Sequence, residues 1–393
     1  MVKFRPATAL AGVIFAVVLP VGAGASPAAA GVVPIATGPA APGGRPAASV
    51  SHRAKASTAV LRVAVTRHYG RLANASGFSV LVMTGARRAW AFGGTNPGGP
   101  STPVAARWNG STLTPSALPP GLTGFISDAT ATARNDVWAA SQYGHYVLRW
   151  DGQRWSVAGQ WRQGEITGLA AISPDDVWIF GTTVLGSRVM GTWHFDGTSW
   201  QLVPGPARAI YRASAISGSD IWAISASATG DSILRYNGRR WRTMETGRAL
   251  AGVLPRDILA MSNDDVWVVG DRVSRDGTPH LVLAHWNGVA WSRLAGGLRA
   301  WAGRLAPGPG CNVLVTATPA SGATTGLILH ASPQGWGAGI VGQSGLGSGV
   351  SDVALAPGAE SLWATGGVLT RLGGNAAIWS GPLARPDGDS DDL

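Results

Sequence analysis

Apolar positions along the chain fall in short runs of five to seven residues, each closed by Gly, Pro, Asp or Asn, with no window keeping a helical period. One unit predicts four strands. They run from Ile166 to Ile172, Val177 to Gly181, Met190 to Phe195 and Ser199 to Val203, separated by the turn Ser173-Pro174-Asp175-Asp176, a variable loop and Asp196-Gly197. The unit repeats. Asp136-Val137-Trp138, Asp176-Val177-Trp178, Asp220-Ile221-Trp222 and Asp265-Val266-Trp267 mark four second strands, with degenerate copies at Ala89-Trp90, Asn312-Val313-Leu314 and Ser361-Leu362-Trp363. Successive copies lie 48, 40, 44, 45, 47 and 49 residues apart, which makes seven units.

A second phrase follows each first one. Trp150-Asp151-Gly152, Phe195-Asp196-Gly197, Tyr236-Asn237-Gly238 and Trp286-Asn287-Gly288 each lead to a Trp three residues on and are preceded by Arg or His. An Asx-Gly pair between aromatics predicts a two-residue hairpin. A period of 40 to 50 residues built only from short strands predicts an all-β, seven-bladed β-propeller of four-stranded antiparallel blades. Alternating strand direction then sends the first-to-second turns and third-to-fourth hairpins to one face. Everything that differs between units goes to the other face.

The in-register members of the 18 tryptophans are expected in the core, where one large ring fills the gap between wedge-shaped sheets. The recurrent Asp before Val-Trp reads as architectural, an acid bonding neighbouring backbone amides in a tight turn. The segment near 57 to 66 is expected to complete the last blade, which otherwise has no fourth strand after Trp379.

Residues 1–25 carry Lys3, Arg5, an apolar run from Ala7 to Leu19 and a small-residue Ala23-Gly24-Ala25 site, as in a secretory signal peptide, with cleavage after Ala25 or after Ala30. Residues 26–56 read as an Ala/Pro/Gly-rich linker, 57–381 as the propeller and 382–393 as an acidic tail. The expected product is secreted, monomeric and without a membrane anchor. Removing Lys3 and Arg5 leaves 29 basic and 21 acidic residues, and Lys55 is the one lysine left. This balance favours acidic partners. Cys311, alone, reads as a buried structural thiol, and neither a cofactor nor a metal is expected from seven scattered His.

The variable face holds the candidate ligand-binding residues Trp161, Arg162, Arg208, Tyr211, Arg212, Arg248, Arg256, Arg299, Trp301 and Arg304, all expected in loops between units. Loops within units add Tyr143, His145, Tyr146, Arg188, Arg272, Arg275 and His280. Guanidinium groups among aromatic rings suit an anionic polysaccharide or an extracellular protein, with no reading of nucleic acid. A non-catalytic binding or scaffold module is the expected function. A glycan-active hydrolase or lyase at the mouth of the central channel is the alternative, to be separated by whether Glu165 or Glu245 faces a pocket beside a Tyr or an Arg pair.

The paired phrases, Asp-Val-Trp and then Arg/His-Trp-Asp-Gly-x-x-Trp, resemble secreted bacterial seven-bladed propellers of the group that includes the kelch-like galactose oxidase domain and the Asp-box, sialidase-like repeats. The sialidase side of that resemblance implies an arginine triad, an Asp and a tyrosine–glutamate pair, for which Tyr211 and Glu165 have the right types, although the Asx-Gly phrase is one residue short of an Asp box. Copper chemistry of the galactose oxidase kind implies a Tyr–Cys pair and His ligands. Nothing here matches those.

Overall fold

A computed structural model describes residues 64–65, 77–95, 101–162, 164–182, 190–205, 209–226, 230–294, 298–309, 312–321, 326–333, 335–340, 347–358, 361–370 and 373–382. The expected leader and linker, Arg188, Arg208, Cys311 and residues 383–393 lie outside the described residues.

Those residues form seven four-stranded antiparallel sheets and no helix. Strands a to d of the third sheet, Glu165–Ser173, Asp176–Thr182, Gly191–Phe195 and Trp200–Val203, pair in chain order. First strands touch the first strands of both neighbouring sheets all the way round, and the strand Gly77–Gly85 of blade 1 meets Gly347–Leu355 of blade 7. The ring is therefore closed, with strand a innermost. It is a seven-bladed propeller.

Closure uses the start of the chain, as expected. Ala64 and Val65 pair antiparallel with Ser380 and Trp379, supplying the fourth, outermost strand of blade 7.

Tryptophan fills the blade interfaces. Trp90, Trp138, Trp222, Trp267 and Trp379 are each less than 2% exposed. Trp90 of blade 1 lies 5.0 and 5.1 Å from Trp150 and Trp155 of blade 2, and Trp222 of blade 4 lies 6.0 Å from both Trp286 and Trp291 of blade 5. Burying one such ring contributes roughly 1.5 to 3 kcal/mol.

The recurrent Asp is architectural by a different route from the one expected. Asp176 and Asp265 accept the indole N–H of the Trp two residues on, at 2.6 and 2.7 Å, and each also bonds a strand-c imidazole, His194 or His285, at 2.9 Å. That imidazole stacks on the same indole, 4.3 Å away for His194 and 4.2 Å for His285. In blades 2 and 4 an arginine takes the place of His. Arg149 lies 4.8 Å over Trp138 and pairs with Asp136, while Arg235 lies 4.9 Å over Trp222 and occupies both oxygens of Asp220. Side chains on two adjacent strands are thus pinned by one carboxylate, because strand c places its His or Arg directly across from the Trp of strand b.

The Asx-Gly phrase also differs from expectation. Trp150 pairs with Trp155, so the loop has four residues rather than two. Asp151 Oδ1 accepts the amides of Gln153 and Arg154, both at 2.8 Å, and Gly152 has φ +96°. The Asx carboxylate satisfies amides that a two-residue turn would have placed in the ladder. Each such glycine packs on the preceding a–b turn: a Cβ on Gly197 would stand 2.9 Å from Asp175 Cβ, and one on Gly288 would stand 2.8 Å from Asp264 Cβ. Both sets of turns therefore share one face.

Candidate binding face and channel

Loops b–c and d–a share the opposite face and hydrogen-bond to one another. Trp161 donates its amide to the His145 carbonyl, Leu281 to Leu298, and Ala320 to Arg299, at 2.8 to 2.9 Å. The sequence reading placed all ten candidates in these loops. Five of them are strand residues instead: Tyr211 and Arg212 in Ala209–Ser217, Arg256 in Leu254–Ser262, and Trp301 and Arg304 in Ala300–Pro307. These are first strands, lining the channel from the variable face inward. The cause is a bulge in each strand, at Tyr211, Arg256 and the pair Gly303-Arg304, which breaks the apolar alternation and made the segments look like loops.

Bulge residues reach to the next blade. Ser79 Oγ donates to Ile126 O at 2.5 Å, Thr167 Oγ1 to Ile210 O at 2.6 Å and Tyr211 Oη to Pro255 O at 3.3 Å. Tyr211 is thereby an inter-blade tie, and burial followed by the nearby Asp231 carboxylate pushes its phenol far above the ordinary value. Arg256 pairs at 2.6 Å with the fully buried Asp271, which accepts the Ala302 amide of blade 6 at 2.7 Å.

A channel position stands one residue beyond the bulge in six blades and within the two-residue bulge of blade 6, occupied around the ring by Val80, Asp128, Gly168, Arg212, Asp257, Arg304 and Asp352. The three acids staple neighbouring sheets. Asp128 accepts the amide of Leu169, Asp257 that of Leu305 and Asp352 that of Leu81, at 3.0, 2.8 and 2.9 Å. Arg212 answers them, 3.8 Å from Asp257 and donating to Thr167 O at 2.8 Å. A cavity of about 290 Å³ remains beside Asp128, Asp257, Arg304 and Asp352. Burial raises Asp352 to about 6, against the opposing pull of Arg304, and raises Asp128 in the same sense. For Arg304 burial opposes the charge, but Asp257, Asp128 and Asp352 outweigh it and lift the guanidinium above its ordinary value.

These acids were not singled out from the sequence. A signal was present: the channel residue stands ten positions before the Trp of strand b in blades 1 to 5, as Asp128 does before Trp138, and ten before Leu314 in blade 6.

Trp161, Arg162, Arg248 and Arg299 lie in the loops expected, whereas Tyr146, Arg272 and His280, expected in loops within units, are residues of the strands Tyr146–Trp150, Asp265–Val273 and Pro279–Trp286. Arg162, Arg248 and Arg299 are exposed. Trp161 is not, packing edge-on against Trp200 at 5.2 Å and Trp193 at 5.9 Å. Tyr146 is buried, whereas Tyr143 is 40% exposed. Burial and then the Glu165 carboxylate push the Tyr143 phenol up, and Glu165 itself accepts a 2.7 Å bond from Gln142. Glu245 lines a crevice at the rim with Arg248 and Arg293. The apolar side chains Leu254, Val273 and Leu298 on this face were not among the candidates read from the sequence. Of the eight large apolar side chains exposed among the described residues, these three and Trp301 gather at blades 5 and 6. Leu254 is opposite Asp271 in the ladder, Val273 ends the same strand, and Leu298 and Trp301 flank the adjoining connection. Exposed Arg272, Arg275 and Arg299 border them.

No protein-family model matches this chain, and no curated protein does. Solved propellers do. A YCF48 protein bound to a D1 peptide is 14% identical over 79% of this chain and 95% of its own, with TM-score 0.54. The catalytically inactive virginiamycin B lyase of Staphylococcus aureus with quinupristin is 11% identical, covering 79% of this chain and 98% of that one, with TM-score 0.53. The WD40 repeats of RRP9 are 12% identical over 82% and 97%, with TM-score 0.55. At these identities the likeness is one of fold, and the same fold carries both a peptide-bound protein and a lyase. No helix among the described residues is long and apolar enough to cross a membrane.

Proposed function

We propose that the protein is an exported binding module whose variable face engages an acidic surface of another extracellular protein. The observation that carries this reading is the patch at blades 5 and 6, where Leu254, Val273, Leu298 and Trp301 stand exposed within a border of Arg272, Arg275 and Arg299. An apolar centre with an aromatic anchor and an arginine rim is the composition of a protein interface, and the rim steers acidic partners. An anionic envelope glycan would use the arginines but leave three aliphatic side chains without a counterpart. The peptide carried by the YCF48 structure is consistent with a propeller used for polypeptide binding.

A glycan-active enzyme at the channel mouth is supported less well, since Asp128, Asp257 and Asp352 are each committed to a backbone amide of the next blade. Glu245 does stand near two arginines, but at the rim rather than at the channel.

The test is capture of a partner from the extracellular proteins of the source organism, followed by its dissociation constant with wild type and with Trp301→Ala. A loss of roughly 30-fold, about 2 kcal/mol, is expected for an interface anchor. Weakening as salt rises is expected as well. Equal affinity of the variant, or binding of sodium polygalacturonate in place of any protein, overturns the reading.

A further inference from the structure

The seven outer rims are not equivalent. Blades 3 and 5 both present the strand-d tryptophan of the repeat, Trp200 and Trp291, to the connection arriving from the preceding blade. At blade 3 that connection lays its own indole, Trp161, edge-on against Trp200 at 5.2 Å and 79°. At blade 5 the connection reads Glu245-Thr246-Gly247-Arg248-Ala249 and contributes no ring. A crevice of about 410 Å³ is left there, floored by Trp286 and Trp291 and bordered by Glu245, Arg248 and Arg293.

Its size and lining are those of a small-ligand site, mostly apolar with a few polar groups at the edge. Arg293 is committed, donating to Ala249 O at 2.8 Å and Ala251 O at 3.1 Å, which holds the connection in place as one wall. The connection is further tied by the Ala249 amide on Thr246 O at 3.1 Å, and Ala249 and Leu250 pack with both tryptophans in the core between blades 4 and 5. Arg248 and Glu245 are exposed and have no hydrogen bond or ion pair among the described residues. The wall is built and the two charges at its lip are unspent.

We propose that this rim crevice is a second binding site, separate from the variable-face patch, that takes an aromatic side chain of a polypeptide. Blade 3 supplies the precedent within the same molecule, where an indole edge on the equivalent ring is the chain's own solution to this space. Edge-to-face contact between aromatic rings favours such an occupant over an aliphatic one of equal area. Arg248 and Glu245 would then pair with charged or amide groups flanking the ring in the bound segment.

The test follows the indole N–H signals of Trp286 and Trp291 by NMR in the full chain during addition of N-acetyl-tryptophanamide, with methyl β-glucoside in a parallel series. Saturable shifts of these two signals with the aromatic probe are expected, with no saturable shift from the glucoside. Thr246→Trp, which returns a ring to the connection as in blade 3, is expected to weaken the probe by about tenfold or more while the melting temperature stays at or above that of wild type. A second variant, Val289→Trp, narrows the crevice from the hairpin side and is expected to act likewise. Absence of saturable shifts with the aromatic probe, saturation by the glucoside instead, or equal probe affinity in both variants overturns the proposal. None of these readouts involves Trp301, so failure here is distinct from failure of the variable-face reading.

Discussion

Arg304 of blade 6 donates from Nη2 to the carbonyl oxygen of Ser127 on blade 2, 2.9 Å away and 177 residues distant in sequence. The bond spans the channel, and the same guanidinium faces the carboxylates of Asp128, Asp257 and Asp352. Arg304→Met keeps most of the stem but removes the charge, leaving three acids with Arg212 alone. A loss of about 3 kcal/mol in denaturant unfolding is expected, because an acid cluster without its cation is costly when desolvated. Adding Asp352→Asn should recover part of that loss. A single variant as stable as wild type would show the tie to be dispensable.

Asp352 gives the domain a pH dependence of unusual sign. Its carboxyl stands at about 6 in the folded chain against 3.8 ordinarily, so the folded state holds the proton more tightly. The contribution is therefore favourable where the carboxyl is protonated and declines as pH rises from about 4 through about 6. The hairpin acids Asp151 and Asp196 are shifted down by the backbone amides they accept, and they act in the opposite sense at lower pH. The measurement is thus the difference between wild type and Asp352→Asn. The variant's melting temperature is expected to gain on wild type as pH rises across that window. Parallel curves would remove Asp352 as the source.

Removal of the first 66 residues deletes the strand Ala64–Val65 and reopens blade 7 at Ser380 and Trp379. The whole domain should melt earlier in one cooperative step, since that pairing supplies the fourth strand of the blade that meets blade 1 at the seam of the ring. An unchanged melting temperature would show the strand Ala64–Val65 to be dispensable.

Trp267 is fully buried, stacked on His285 and bonded to Asp265. Trp267→Ala is expected to cost about 3 to 5 kcal/mol, combining lost transfer energy with a cavity between blades 5 and 6. Trp301→Ala, at an exposed ring, should leave stability within about 0.5 kcal/mol of wild type. Thermal melts of the two variants side by side separate an architectural indole from a surface one.

Gly197 and Gly277 both have positive φ, +90° and +80°, but only at Gly197 would a Cβ meet another residue. Gly277→Ala should cost about 1 kcal/mol from backbone strain alone. Gly197→Ala should cost more, since Asp175 of the neighbouring turn must also move. Equal losses would mean that the two turns do not bear on each other.

The in-register tryptophans, the unit length and the loop classes were legible because a repeat writes its geometry into the chain at a fixed spacing. Trp138 and Trp267 are buried for the same local reason, and one copy explains the rest. Tyr211 and Arg304 were legible as residue types but not as positions, since a bulge interrupts the alternation from which a strand is recognised. The role of Asp176 in holding Trp178 and His194 was hidden for another reason: its partners sit on two different strands, and His194 lies 18 residues away.

By itself, the order of residues determined the seven units, their four short strands and the assignment of turns to faces, because turn chemistry and apolar alternation act between near neighbours. Only the closed ring decided that Asp128, Asp257 and Asp352 would staple adjacent blades, that Arg304 would reach Ser127, and that Leu254, Val273, Leu298 and Trp301 would share one patch. Those relations join residues that distance along the chain keeps apart, and they exist once packing has brought the blades round a common axis.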